Sequence, residues 1–124
     1  MNKKDIKILV TDDSAFMRQY IIDNLNEAGY DNIYEAHNGK MAIEVFNDKH
    51  PDIVLLDLVM SVMGGIEVLE RLVSENANVI IVSAVGQKPM IDRAMAKGAK
   101  SYIVKPFFNA QDFDNNIKEI INAK

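Results

Sequence analysis

Five side chains carry most of the chemistry this sequence can do: Asp12 and Asp13, Asp57, Ser83 and Lys105. Each lies at the end of a short apolar run. The acid pair comes after Ile6 to Val10, Asp57 after Ile53 to Leu56, Ser83 after Val79 to Val82, and Lys105 after Tyr102 to Val104. Taken singly, each has an ordinary reading. Asp and Ser favour helix N-caps, where the helix dipole also welcomes negative charge. Asp57 reads as a turn residue, Ser83 as a turn or cap hydroxyl, and Lys105 as a solvated charge. Taken together they admit something else. Three carboxylates in one small region repel one another, which raises at least one pKa or recruits a hard divalent ion, and an all-oxygen donor set suits magnesium rather than zinc. A lysine and a serine on the same edge add an anion-binding half. A phosphoryl group carried by one carboxylate would satisfy both halves at once.

That chemistry needs elements that bring distant residues together. Strand-length apolar runs recur at Ile6 to Val10, Ile33 to Ala36, Ile53 to Leu56, Val79 to Val82 and Tyr102 to Val104. Most are continuously apolar, as expected of strands covered on both faces. Between them stand segments with helical spacing. The first carries Phe16, Met17, Tyr20, Ile21, Leu25 and Ala28, and the second Met41, Ala42, Val45 and Phe46. The third has Ile66, Leu69, Leu72 and Val73, the fourth Met90, Ile91, Ala94 and Met95, and the last Phe113, Ile117, Ile120 and Ile121. Gly29 and Gly98 fall where helices should end, Pro89 suits a first helical turn, and Asn109 can cap the last helix. Strict alternation with right-handed crossovers predicts an α/β fold, a doubly wound five-stranded parallel sheet with five helices. Ligands bind such sheets at the carboxyl ends of the strands, near the point where strand order reverses.

Composition narrows the function classes. A chain of 124 residues suits one domain over 1–124, and 48% hydrophobic with 26% charged residues is ordinary for a soluble globular protein. A net charge of −4 argues against nucleic acid and against an anionic bilayer as partner. Without cysteine there is no disulfide, thiolate metal site or cysteine nucleophile. His37 and His50 lack ligand spacing and read as loop residues. The first residues alternate in charge and do not resemble a signal peptide or membrane span, so a cytoplasmic, membrane-independent monomer is expected.

The residues at these strand ends resemble the receiver domain of bacterial two-component response regulators, and the likeness runs from Lys7 to Ala123. The family pattern is an acid pair after strand one, a phosphorylated aspartate after strand three, a threonine or serine after strand four and Lys-Pro after strand five. Here it reads Asp12-Asp13, Asp57, Ser83 and Lys105-Pro106. The stretch Ser83-Ala84-Val85-Gly86-Gln87 adds a likeness to single-domain CheY-like receivers of chemotaxis. The resemblance implies a flavodoxin-like (βα)5 topology and an Asp57 phosphoacceptor supplied by a sensor histidine kinase. It implies that Asp13, Asp57 and the Val59 carbonyl hold Mg2+ while Asp12 holds a metal-bound water. It also implies that Lys105 pairs with Asp57 and then with the phosphoryl oxygens, behind a cis Lys105–Pro106 bond. Ser83 and Tyr102 would be the switch residues. The output face would lie on the fourth helix, fifth strand and fifth helix, including Met90, Met95, Lys97, Tyr102 and Phe108. The downstream target there would be of the flagellar motor switch kind, with a phosphatase as a further partner.

Two positions depart from the pattern. Ser61 replaces a common proline and Gly64 a common acidic residue, so the loop after Asp57 should be less restricted. Val59 and Val85 stand where the family tunes dephosphorylation and can neither orient nor activate a water. Three other readings compete with the signalling switch. One is a receiver-like binding module that works without phosphorylation. A magnesium-dependent phosphohydrolase is disfavoured by the short chain and the absence of a cap domain. A flavin-binding protein is disfavoured because two carboxylates occupy its phosphate loop.

Overall fold

The structure, a computed structural model, describes residues 2–60, 63–105 and 109–122. Strands β1 (Ile8–Thr11), β2 (Ile33–Ala36), β3 (Ile53–Leu56), β4 (Val79–Ser83) and β5 (Ser101–Val104) alternate with five helices. These are α1 (Ala15–Glu27), α2 (Gly39–Lys49), α3 (Gly65–Ser74), α4 (Lys88–Ala96) and α5 (Ala110–Asn122). Every strand pairing is parallel and the order is β2-β1-β3-β4-β5. The expected doubly wound sheet is therefore the observed one. Its order matters for the site, because β1 pairs with β3 so that Thr11 lies opposite Leu56. The next residues in each strand, Asp12 and Asp57, leave the sheet side by side.

Period-two alternation sorts the core into two layers. Leu9, Val54, Leu56, Val79 and Ile81 pack with residues of α2, α3 and α4. Ile8, Val10, Ile53, Leu55, Ile80 and Val82 pack with residues of α1 and α5. Strands β1, β3 and β4 are buried along their whole length, which is why their sequences are continuously apolar. The edge strands β2 and β5 are only partly covered and carry Glu35 and Ser101.

Helix faces differ in detail from the sequence reading. Helix α1 buries Ile21, Asn24 and Leu25, whereas Phe16 is 79% exposed and Tyr20 40%. Its first turn follows the end of β1 directly, so it projects past the apolar surface of the sheet. Helix α4 buries only Ala94, because it covers an edge strand. A short 3-10 helix at Lys3–Asp5 precedes β1 and was not signalled by any apolar pattern. The punctuation is as expected: Gly29 and Gly98 sit just past the helix ends at φ 102° and 108°, where a side chain would be strained. Asn109 and Asp112 cap each other reciprocally through backbone N–H groups at 3.0 and 2.8 Å.

A polar network ties the α1–β2 connection to α5. The Tyr30 ring is fully buried and its hydroxyl donates to Asp114 Oδ1 at 2.7 Å. Lys3 Nζ stands 3.2 Å from the same oxygen, and Lys118 Nζ 3.0 Å from Oδ2. Burial pushes the Asp114 carboxyl up, but the Tyr30 hydroxyl and the two ammoniums outweigh it and hold the group below the usual carboxylate range.

Helix α3 starts without help from a side chain. Its N-cap is Gly64, in an extended conformation that any residue adopts, and a Cβ there would meet open space. Gly64→Ser should therefore supply the missing cap and stiffen the unfolded chain. Urea denaturation should show about 0.5–1 kcal/mol of added stability. A loss would mean that the glycine is required by the loop itself. Gly65 differs, because a Cβ there would lie 2.3 Å from Leu58 Cα. This close approach sets the start of α3 against the residue that follows Asp57, and Gly65 N–H donates to Leu58 O at 3.2 Å.

Candidate functional site

Each candidate side chain is aimed by the hydrogen bonding of the strand it leaves. Asp12 N–H continues the ladder to Ala36 O at 3.2 Å, and Asp57 N–H reaches Thr11 O at 3.1 Å. Lys105 N–H donates to Ser83 O at 2.8 Å, fixing the lysine to the end of β4. The result is convergence across three strands. Lys105 Nζ lies 2.6 Å from Asp12 Oδ2 and 3.2 Å from Asp57 Oδ2. Asp12 is 1% exposed and Asp57 7%. One carboxylate oxygen from each of Asp12, Asp13 and Asp57 lies within 4.8 Å of the others.

The remaining bonds divide the labour. Asp12 Oδ1 accepts from Ser14 N–H at 2.9 Å, so both its oxygens are occupied. Asp57 Oδ1 accepts from Val59 N–H at 3.2 Å. Asp13 is exposed and, among the described residues, forms no ion pair. Burial raises the Asp57 pKa; the Val59 N–H and Lys105 oppose the rise, and the neighbouring Asp12 charge adds to it. Ser83 is fully buried and its Oγ accepts from Val85 N–H at 3.2 Å. The Tyr102 hydroxyl donates to Val85 O. Its pKa is raised by burial and by the Asp57 charge, with the nearby Ser83 hydroxyl acting the other way.

Asp12, Asp13, Asp57, Ser83 and Lys105 are thus at one edge of the sheet, and Tyr102, opposite Ile81 within the sheet, reaches toward that edge with its hydroxyl. Val59 is there too, 62% exposed beside Asp57. Of the residues expected on the output face, Met95 and Tyr102 line one groove between α4, β5 and α5, together with Ile91 and Asn116, whereas Met90 packs toward the α2–α3 core and Lys97 pairs with Glu70 of α3 at 3.3 Å. Pro106 and the bond before it, Phe108 and Ser61 lie outside the described residues. One contributor escaped the sequence reading. Arg18 donates from Nη1 to the Asp12 carbonyl at 2.8 Å and from Nε to Glu35 at 3.1 Å. The available signal was a charged residue between Met17 and Ile21 on the inner side of α1.

A parallel sheet in this order brings three carboxylates, a hydroxyl and an ammonium together at its carboxyl edge. The chain belongs to the response regulator receiver domain family, whose model matches residues 8–118. It is 42% identical over 103 residues to chemotaxis protein CheY of Thermotoga maritima, covering 82% of this chain and 86% of that protein. The same identity and coverage hold for chemotaxis protein CheY of Bacillus subtilis. Among solved structures, the CheX-CheY-BeF3-Mg+2 complex from Borrelia burgdorferi superposes with a TM-score of 0.88 at 29% identity, covering 95% of this chain and 90% of that one. The chain is a receiver domain of the CheY type, a class of signalling switches. Among the described residues, no helix is long and apolar enough to cross a membrane.

Proposed function

We propose that this chain is a phosphorylation-activated response regulator that accepts a phosphoryl group on Asp57 and needs Mg2+ to do so. The observation that carries this reading is the shared ammonium: one partly buried lysine bridges Asp12 and Asp57, with Asp13 alongside. The donor set fits a hard divalent ion, being all oxygen and clustered. By the family resemblance, Asp13 and Asp57, with the Val59 carbonyl, would be the direct ligands and Asp12 the holder of a metal-bound water. When bound, Mg2+ supplies positive charge against the oxygens of the transferring phosphoryl group.

The chain's own residues do the rest. An Asp57 oxygen forms the new bond to phosphorus as the bond from phosphorus to the donor breaks. The donor keeps that electron pair, whether it is a phosphohistidine on a sensor kinase or a small acyl phosphate. Lys105 and the Val59 N–H favour the ionised form that can attack. Afterwards Lys105 turns to the phosphoryl oxygens and the Ser83 hydroxyl donates to them, a movement that pulls on Val85 and Tyr102. The groove between α4, β5 and α5 then presents a changed surface to a downstream target, of the flagellar switch kind in a chemotaxis setting.

Incubation with acetyl phosphate and Mg2+ should add one phosphoryl group by intact mass, and EDTA should prevent it. A chain that stays unmodified in magnesium would overturn the reading. Persistence is a second expectation. Neither Val59 nor Val85 offers a group that can direct water, so Val59→Asn or Val85→Glu should shorten the phosphoryl lifetime by about tenfold. Decay followed by mass after removal of the donor checks it, and unchanged lifetimes would assign the protection to other residues.

A further inference from the structure

We infer that Arg18 is a positioning residue for the cation site: its guanidinium locks the peptide that carries Asp13 and so sets divalent-metal affinity. The inference rests on the proposed Mg2+ reading and adds a residue outside the acid cluster to it.

Asp13 combines two properties that rarely go together. It is exposed and without an ion-pair partner among the described residues, yet its carboxylate lies with those of Asp12 and Asp57. Its own side chain has nothing visible to restrain it, so the restraint must come from the backbone. Both flanking peptides are held. The carbonyl of the Asp12–Asp13 peptide accepts from Arg18 Nη1 at 2.8 Å. The N–H of the Asp13–Ser14 peptide donates to Asp12 Oδ1 at 2.9 Å. Asp13 is therefore strung between two anchored planes, one fixed by Asp12 itself and the other by Arg18.

Arg18 is built for such a hold. Its planar fork satisfies two acceptors at once, the Asp12 carbonyl and Glu35 of β2 at 3.1 Å. Its side chain is only 16% exposed. Its backbone N–H makes the bond to Ser14 O at 2.9 Å that opens α1. One residue thus joins the acid loop, the first helix and the edge strand. Groups that orient metal ligands from behind typically change metal affinity by about 10- to 100-fold when removed.

The charge of Arg18 makes the inference decidable. Removing a cation near an acid cluster strengthens binding of another cation by Coulomb's law alone. Removing the clamp weakens it. The two effects have opposite signs. In calorimetric titration of the unphosphorylated protein with Mg2+, Arg18→Met should raise Kd about tenfold. Glu35→Gln, which keeps the bond to Asp12, should change it by less than about threefold. At saturating Mg2+ the phosphorylation rate of Arg18→Met from acetyl phosphate should return to near the wild-type value, because Asp57 and Lys105 are untouched.

Thermal unfolding in EDTA verifies that the variants are folded. If Arg18→Met fails to fold, Arg18→Gln, too short to span both acceptors, is read by the same criterion. An unchanged or lowered Kd in a folded variant overturns the role assigned to Arg18, as does a rate that stays depressed at saturating metal. Absence of Mg2+ binding by the wild type would instead overturn the underlying metal reading.

Discussion

Asp57→Asn is expected to abolish phosphoryl uptake and, in the absence of magnesium, to make the protein more stable than the wild type. The first effect follows from removing the attacking oxygen's charge. The second follows from the cost of the site. Asp57 is buried beside Asp12, and the two share a single ammonium. Burial raises its pKa, so the folded protein holds a proton there more readily than the unfolded chain. The wild type therefore loses stability as pH rises from the unfolded value near 4 up to the raised folded value. Asparagine removes that loss while leaving Lys105 its shorter bond to Asp12. A gain of about 1 kcal/mol at neutral pH is expected, fading as pH falls through the same window. Urea denaturation in EDTA across that range checks it, alongside intact mass after acetyl phosphate treatment. A mutant that still takes up a phosphoryl group, or that is less stable at neutral pH, would contradict the role assigned to Asp57.

Asp114→Ala is expected to destabilise the protein without touching the site. It leaves the buried Tyr30 hydroxyl without its acceptor and two ammoniums without a counter-charge. Both lysines keep access to water, so their share is small, and most of the cost falls on the tyrosine. The total should be about 2–3 kcal/mol, and Tyr30→Phe should recover part of it in the double mutant. The pH dependence has the opposite sense to that of Asp57. The Asp114 carboxyl is held below its unfolded pKa, so its contribution is complete above pH ~4 and is lost as pH falls through the folded value. Equal acid sensitivity of wild type and Asp114→Ala would assign acid lability to other carboxylates.

What was legible in the sequence were the features written locally. Continuous apolar runs located β1, β3 and β4 because both faces of those strands are covered, and the residue just past each run was already at the edge where ligands bind. Strand order was not written locally. Only the pairing of β1 with β3 turns Asp12 and Asp57, 45 residues apart in the chain, into neighbours. The same limit hid the Tyr30–Asp114 bond, which spans 84 residues and has no periodic signature. Phe16 and Tyr20 fitted an apolar stripe by spacing, but spacing cannot show where the sheet surface ends beneath a helix. Arg18 was hidden because its partner is a backbone carbonyl, which every residue has and no sequence pattern marks.

The Tyr102 hydroxyl rests on the Val85 carbonyl, and the Val85 N–H on the Ser83 hydroxyl oxygen. A stimulus can only tilt an ensemble in proportion to its preference for one member over another. Under the proposed switch, whatever favours one arrangement of Ser83, Val85 and Tyr102 would favour one arrangement of the groove, and the coupling would run both ways: a partner bound at the groove would act back on the carboxyl edge of the sheet.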